Sequence, residues 1–483
     1  MKIKIIALSL SLLSFMNIMS QEKISSFAGN GKSAKELFTV LDHETKQPTV
    51  FFISDNSLTA ARFDNKFQLV DDLTIQFKKK EVTNIFGTSG SKNKYFVYMG
   101  SYNGDGIVAQ QFDFDTKTTK SHLIQYDKEI DKGKKKNIAD FTANDIYYSV
   151  TSIKGTDLLH IYSFQNGSMN KNVIDLSSFK FLNKTHQKIT FWDLYNENNS
   201  GAYAKSIESI PSDTPPSLVL ATNKKKSYVK DGQVTFTFDV NQSFTQTLTI
   251  NLSNFTATQK TYAVPFVPLD PGERPDLNSF LVNDVLIQMK VKSKLLELTA
   301  KSLDDTVLKS ISLRSDEEVS FKNSEIIQEN GSMESTRILG SSKQLIRKMH
   351  NLFPAVTGYY IDDKFYIILG GVSAPKEDQS VMVGGIIGGF TGALIAAAIS
   401  SNSTAANLNS YEDKKIVYIQ SVFDKDFNHV PGAYKKLAFD KLRLFIENSR
   451  ELSNHSTFKL GRDLYLLAFD KKKNEYSFYK FQE

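Results

Sequence analysis

The sequence predicts an all-β protein: a β-propeller of about seven blades, six to eight, with two short helices and one hydrophobic, Gly-rich helical insertion. Three observations predict it. Aromatic residues make up 12% of the 483 positions, with 35 Phe and 20 Tyr against a single Trp, and such residues favour strands. A unit of three short strands joined by polar turns recurs seven times along the chain. There is no cysteine, so each unit must be held by packing and not by disulfides or thiolate-bound metal. The length fits about three ordinary domains or one large repeat architecture. With 40% hydrophobic and 23% charged residues the chain can build a core, which excludes disorder throughout.

The units run as follows. The first has strands at 49–53, 57–64 and 67–70, the second at 94–98, 107–113 and 121–124, and the third at 145–148, 158–164 and 172–176. The fourth has 217–221, 233–239 and 245–252; the fifth has 284–289, 294–301 and 307–313. The sixth has 364–369 and, after a long interruption, 415–424; the last has 457–460, 463–470 and 476–481. The middle strand often closes on Phe-Asp, as at Phe63-Asp64, Phe112-Asp113, Phe238-Asp239, Phe423-Asp424 and Phe469-Asp470. The Phe can pack inward while the Asp bonds the backbone of the following turn. A lone meander of two or three strands is marginal in water, and stacking several face to face buries a continuous core.

At the level of these strand repeats the chain resembles secreted bacterial kelch-like and WD-like β-propeller proteins, although no signature dipeptide is present. The resemblance implies closure of the units into a ring, which removes exposed edges. Tandem β-sandwich domains give the same short strands and remain the alternative. The segment 264–276 holds four of the eleven prolines, reads as an extended linker, and is where such a chain would divide.

Residues 1–20 read as a secretory signal peptide: Lys2 and Lys4, an apolar run from Ile5 to Met19, then Ser20 before Gln21 and Glu22. The domain proper is then 21–483, with 57 basic against 53 acidic residues, or +4, too mild for a nucleic-acid footprint. Composition and export signal together are similar to Gram-negative envelope proteins, placing the chain in the periplasm or outside the cell.

Two helices interrupt the strands. One, over 341–353, carries Leu345, Ile346, Met349 and Leu352 on one face and stops before Pro354. The other, over 433–447, carries Leu437, Leu442, Phe445 and Ile446, with basic residues opposite.

The insertion, 377–410 within the sixth unit, stands apart. Its segment 381–399 is uncharged, and no charged residue occurs between Asp378 and Glu412. As a helix it would be ~29 Å long at ~1.5 Å per residue, close to the ~30 Å core of a bilayer. Gly384, Gly388, Gly392 and Ala396 recur every fourth residue, as do Gly385 and Gly389, so two backbones can approach closely there. Ile386, Ile387, Phe390, Leu394 and Ile395 supply the apolar bulk. The stretch resembles glycine-zipper motifs of bacterial envelope proteins. It reads as a stop-transfer span, as a projection that contacts a membrane or a partner, or as a segment packed on its own domain.

Catalytic motifs are sparse. The seven His, at 43, 122, 160, 186, 350, 429 and 455, form no HExxH motif and no close pair. Gly31-Lys32-Ser33 lacks the leading Gly of a phosphate loop, since Ser26 stands there. Gly87-Thr88-Ser89-Gly90 is not a nucleophile elbow and reads as a turn. Asn103-Gly104-Asp105-Gly106 lacks the spaced acids of a Ca²⁺ loop, and the pairs Asp304-Asp305 and Asp362-Asp363 read as turns. No catalytic, cofactor or metal residue is assigned. The expected function is an exported binding or scaffold module for a protein or glycan partner, with membrane contact or homo-oligomer formation through 381–399. The alternative is a secreted propeller hydrolase or lyase acting on glycans.

Overall fold

The computed structural model describes residues 21–29, 34–42, 44–77, 82–101, 106–125, 135–197, 207–268, 273, 275–333, 335–373, 407–408, 410–411 and 414–483. The expected signal peptide 1–20, His43, the Gly31-Lys32-Ser33 and Asn103 to Asp105 stretches, and 381–399 lie outside the described residues. Seven antiparallel-dominated sheets of four or five strands are present among the described residues. The chain divides into two units, Met1–Gln76 with Lys435–Glu483, and Phe77–Tyr434.

The first unit holds two four-stranded sheets. One is a plain meander of Glu36–Leu41, Pro48–Ile53, Ser57–Phe63 and Leu69–Gln76. The other joins Gln21–Ala28 to the meander Leu452–Leu460, Asp463–Asp470 and Glu475–Phe481, with Gln21 opposite Phe481 and Ala28 opposite Glu475. Aromatic rings fill the core of this unit. Phe63 meets Phe478 edge-on at 5.1 Å and Phe67 stacks on Tyr465 at 5.0 Å. Each such ring, fully buried, contributes about 1.5–3 kcal/mol. The helix Ala438–Asn448 begins where Asp440 accepts the Leu437 N–H at 2.9 Å. Burial raises the Asp440 carboxyl to about 6. Arg443, expected on a solvated face, is buried and pairs with Glu447 at 3.1 Å.

The second unit holds five sheets of four or five strands among the described residues. Four-stranded meanders run over Val82–Ser91 to Thr118–Gln125, Lys135–Ala143 to Ser168–Asp175, and Asp276–Val282 to Val307–Arg314. The remaining two have five strands. In one, Glu208–Ile210 adds in parallel to Lys225–Lys230, followed by Gln233–Phe238, Phe244–Asn251 and Ala257–Ala263. The other has the order Thr336–Leu339, Ile326–Asn330, Lys415–Asp424, Lys364–Val372, Phe353–Ile361. Two-residue hairpin turns with positive φ at both positions occur at Asn144-Asp145, Asn283-Asp284 and Asp362-Asp363, matching the right-handed twist of the strands.

The Phe-Asp reading holds in physical detail. Phe63, Phe112, Phe238, Phe423 and Phe469 are buried. Asp64 accepts the Lys66 and Gln68 N–H groups at 2.8 Å each, Asp424 those of Asp426 and Asn428, and Asp470 those of Lys472 and Lys473. Asp239 departs from this use and turns inward.

Three local expectations are corrected. The units have four strands, not three: an additional first strand, such as Val82–Ser91 or Asp276–Val282, precedes each expected trio in the meanders. Gly87-Thr88-Ser89-Gly90 lies within a strand and not in a turn, paired residue by residue with Tyr98 to Tyr95; a Cβ at Gly87 would sit 2.6 Å from Tyr147 Cε2. Residues 217–221 form the short helix Leu218–Ala221, capped by Ser217 Oγ, which accepts Leu220 N–H at 3.1 Å; the strand is Lys225–Lys230. A further short helix, Phe191–Asn196, is capped by Thr190 in the same way. The helix expected over 341–353 is Ser342–Asn351. The Pro-rich linker is tied down by lysines: Lys292 Nζ donates to Pro268 O at 2.7 Å and Lys301 Nζ to Ala263 O at 3.0 Å.

Candidate functional site

The insertion leaves the fold at the end of one hairpin. Strands Lys364–Val372 and Lys415–Asp424 pair without a register shift, from Lys364 opposite Asp424 to Val372 opposite Ile416. Beyond that rung, Ser373 N–H donates to Lys415 O at 2.9 Å and Lys415 N–H donates to Ser373 Oγ at 3.0 Å. The chain therefore departs and returns at adjacent positions of one sheet. The sixth expected unit is confirmed as one sheet despite its interruption. A single bilayer crossing between these two strands would separate hydrogen-bonded partners.

The returning chain is fastened to the body of the unit. Asn407 is fully buried; its Oδ1 accepts Ser217 N–H at 2.6 Å and its Nδ2 donates to Pro215 O at 2.7 Å. Ser410 Oγ lies 2.7 Å from Ser217 Oγ. The 213–217 loop is itself held by Thr357 Oγ1, which donates to Pro216 O at 2.9 Å, and by the Tyr359 hydroxyl, which donates to Asp213 O at 3.2 Å. Because loop-closure cost grows only slowly with length, a long segment between two such fixed ends is tolerated. The expected contact residues Gly384, Gly385, Ile386, Ile387, Gly388, Gly389, Phe390, Gly392, Leu394, Ile395 and Ala396 lie outside the described residues. Among the described residues no helix is long and apolar enough to cross a membrane.

A second chemically loaded place, which sequence reading missed, lies where the sheets containing Lys225–Lys230 and Asp276–Val282 meet. Lys226 and Asp239 are both fully buried, with Nζ to Oδ2 at 3.5 Å. Asp239 Oδ2 also accepts Ser279 N–H at 2.8 Å and Ser279 Oγ–H at 2.9 Å, and its Oδ1 accepts Thr245 Oγ1–H at 2.8 Å. Lys224 pairs with Asp276 at 2.6 Å, and Lys225 Nζ donates to Glu197 O at 3.0 Å. Burial lowers the Lys226 ammonium to about 8 against the pull of Asp239. With its acceptors filled by protein donors, Asp239 ties two sheets together.

Glu208 flanks this network, hydrogen-bonded to Asn223 and near Lys226; burial raises its carboxyl to about 7. A carboxyl raised on folding is a burden that is fully present above its folded pKa and vanishes below its unfolded one. Glu208→Gln is therefore expected to be more stable than the parent near about pH 8, with the gap closing as pH falls to about 4. Urea unfolding across that range checks this; a gap that stays constant refutes it.

The described histidines are dispersed. His122 Nε2 lies 2.6 Å from Gly167 O, and His429 Nε2 lies 3.0 Å from Asn323 Oδ1. His160 is buried, and desolvation with nearby Lys171 and Lys135 lowers it to about 4. Among the described residues no group of three His, Asp or Glu side chains is placed to hold a metal ion.

No protein-family model matches the chain, and no curated protein matches it. Among solved structures it is similar to the WD40 domain of SCAP from fission yeast, at 10% identity over 96% of this chain and 97% of that one, with a TM-score of 0.32. It is similar to a protein from Lactobacillus plantarum at 9% identity, over 71% and 84%, with a TM-score of 0.27. It is similar to an ACO/RPE65 chimera at 10% identity, with a TM-score of 0.28; the match covers 58% of this chain and 62% of the chimera, under two thirds of its length. None of these similarities carries a function.

Proposed function

We propose that the chain is an exported envelope protein of a Gram-negative bacterium, a binding or scaffold module whose seven sheets are the blades of a propeller and whose insertion contacts a membrane or a second copy. The arrangement of Ser373 and Lys415 on one rung supports this reading most directly. A segment that starts and ends at the same end of two paired inner strands, and whose central part 381–399 is uncharged, can project without disturbing the strands that carry it. The sequence supplies ~30 Å of helix if 381–399 is helical, enough to reach into a bilayer core or along a partner helix.

The test compares residues 21–483 with a form in which 374–406 is replaced by a short Gly-Ser bridge, keeping Asn407 and Ser410. Both are floated with liposomes and sized by light scattering. The intact chain is expected to float or to associate, and the bridged form to remain a folded monomer in the aqueous fraction. Equal behaviour of the two, both folded and monomeric, overturns the reading.

A further inference from the structure

We infer that the carboxyls of Asp440 and Glu483 form an acid-tightened clasp, which locks residues 482–483 onto the start of the helix Ala438–Asn448 and loosens as the pair ionises. The clasp lies in the first unit and is independent of the insertion and its proposed role.

The fold brings the two side chains to one place. Asp440 reaches back from the first helical turn, and its Oδ2 accepts the Leu437 N–H at 2.9 Å. Glu483 arrives from beyond the strand Glu475–Phe481, and its Oε2 accepts the next amide, Ala438 N–H, at 3.1 Å. Two consecutive backbone amides thus hold two carboxyl groups. The same segment is fixed at two further points. Lys441 Nζ donates to Gln482 O at 2.7 Å, and Glu483 N–H donates to Asp463 Oδ1 at 3.2 Å. The Phe445 ring covers the approach, with its centroid 4.9 Å from that of Tyr479 and 5.5 Å from that of Phe481. The strand held in this way is the one that pairs with Gln21–Ala28, so the clasp sets how firmly that sheet is closed.

The place suits one negative charge better than two. The amides at a helix start present only roughly half an elementary charge to an anion. Among the described residues, Glu483 Oε1 is buried and has no hydrogen-bond partner. Such an oxygen is costly when the carboxyl is ionised and far less so when it is protonated. Around Asp440, Arg443 and Lys436 favour the ionised form and Glu483 opposes it. Around Glu483, the favouring cations are Lys459, Lys435 and Lys441. Arg443 is shared with Glu447 at 3.1 Å, and Lys480 is engaged by Asp463 at 3.0 Å. Burial outweighs these cations, so both carboxyls are raised, Asp440 to about 6. A carboxyl raised in the closed state favours closure when it is protonated. The clasp is therefore tightest below the ordinary carboxylate value of about 4 and weakens as pH rises through about 6.

The experiment measures amide hydrogen exchange of the full chain at about pH 5 and about pH 7.5, each rate being divided by that of an unstructured peptide at the same pH. Protection of the Leu437, Ala438 and Glu483 amides is expected to fall at least about tenfold between the two, the factor carried by one pKa unit. The strand Asp463–Asp470 is expected to change less and serves as the internal reference. The variant D440N/E483Q keeps an acceptor at each amide and removes both charges; its protection is expected to be the same at both pH values. D440N and E483Q alone are each expected to show a smaller fall than the parent. Equal protection of the parent at both pH values overturns the clasp. So does a fall that the variants keep in full, or one of equal size throughout Asp463–Asp470, which would report loosening of the whole unit.

Discussion

Asp239→Ala is expected to cost about 3–5 kcal/mol of stability, the range found when one partner of a buried ion pair is removed. The reason is what it strands. Lys226 is left as a buried charge, and the Ser279 N–H, Ser279 hydroxyl and Thr245 hydroxyl lose their acceptor in the same place. The contrast is Asp64→Ala, whose carboxylate serves only the exposed turn N–H groups of Lys66 and Gln68 and which is expected to cost about 1 kcal/mol. The two Asp residues stand in the same Phe-Asp motif, so the difference measures the inward turn at Asp239 alone. Adding Lys226→Met to Asp239→Ala should recover part of the loss, because the stranded charge is then gone. Chemical unfolding of the parent and the three variants decides it: a loss at Asp239 no larger than at Asp64, or no recovery in the double variant, would refute the account.

Gly370→Ala is expected to destabilise by about 3 kcal/mol, at the upper end for overpacking. Gly370 stands opposite Tyr418 in the hairpin that carries the insertion. A Cβ there would fall inside the contact radius of the Val417 carbonyl oxygen and 2.8 Å from Tyr418 Cα. These are backbone atoms of a paired strand, so no rotamer change can relieve the clash, and the strands must part. Gly340→Ala is the control: a Cβ at Gly340 meets nothing within 4 Å, and the substitution is expected to stay within about 0.5 kcal/mol. Thermal unfolding compares the two, and equal effects would show that the hairpin tolerates the added carbon.

Much of the fold was legible in the sequence because the middle strands of each sheet are dense in apolar residues. Leu464 to Phe469 and Val285 to Met289 announce themselves as strands, and the Phe-Asp ends mark where the turns begin. The first strands were hidden by their chemistry. Val82–Ser91 contains Gly87, Thr88, Ser89 and Gly90, which look like turn residues, yet Gly87 is there to admit the Tyr147 ring. The short helix Leu218–Ala221 reads as an apolar strand because four residues carry no helical period; only its Ser217 cap distinguishes it. The buried network was hidden for a different reason. Lys224, Lys225 and Lys226 in succession read as a solvated surface, and nothing local reveals that carbonyls and carboxylates from distant segments meet them. The anchor of the returning chain was hidden because its partners, Ser217 and Asn407, are 190 positions apart.

The pairing of Gln21–Ala28 with Glu475–Phe481 has a consequence for synthesis. Lys23 and Glu475, joined at 2.6 Å, are 452 positions apart, so this sheet has an extreme contact order. Its first strand must wait, with unpaired N–H and C=O groups, until Glu475–Phe481 is made. Until then it is an open edge, available to chaperones, to proteases or to the same edge of another nascent chain. Completion of that single sheet is therefore the step at which a molecule that carries Glu475–Phe481 becomes distinguishable from one that stops short of it.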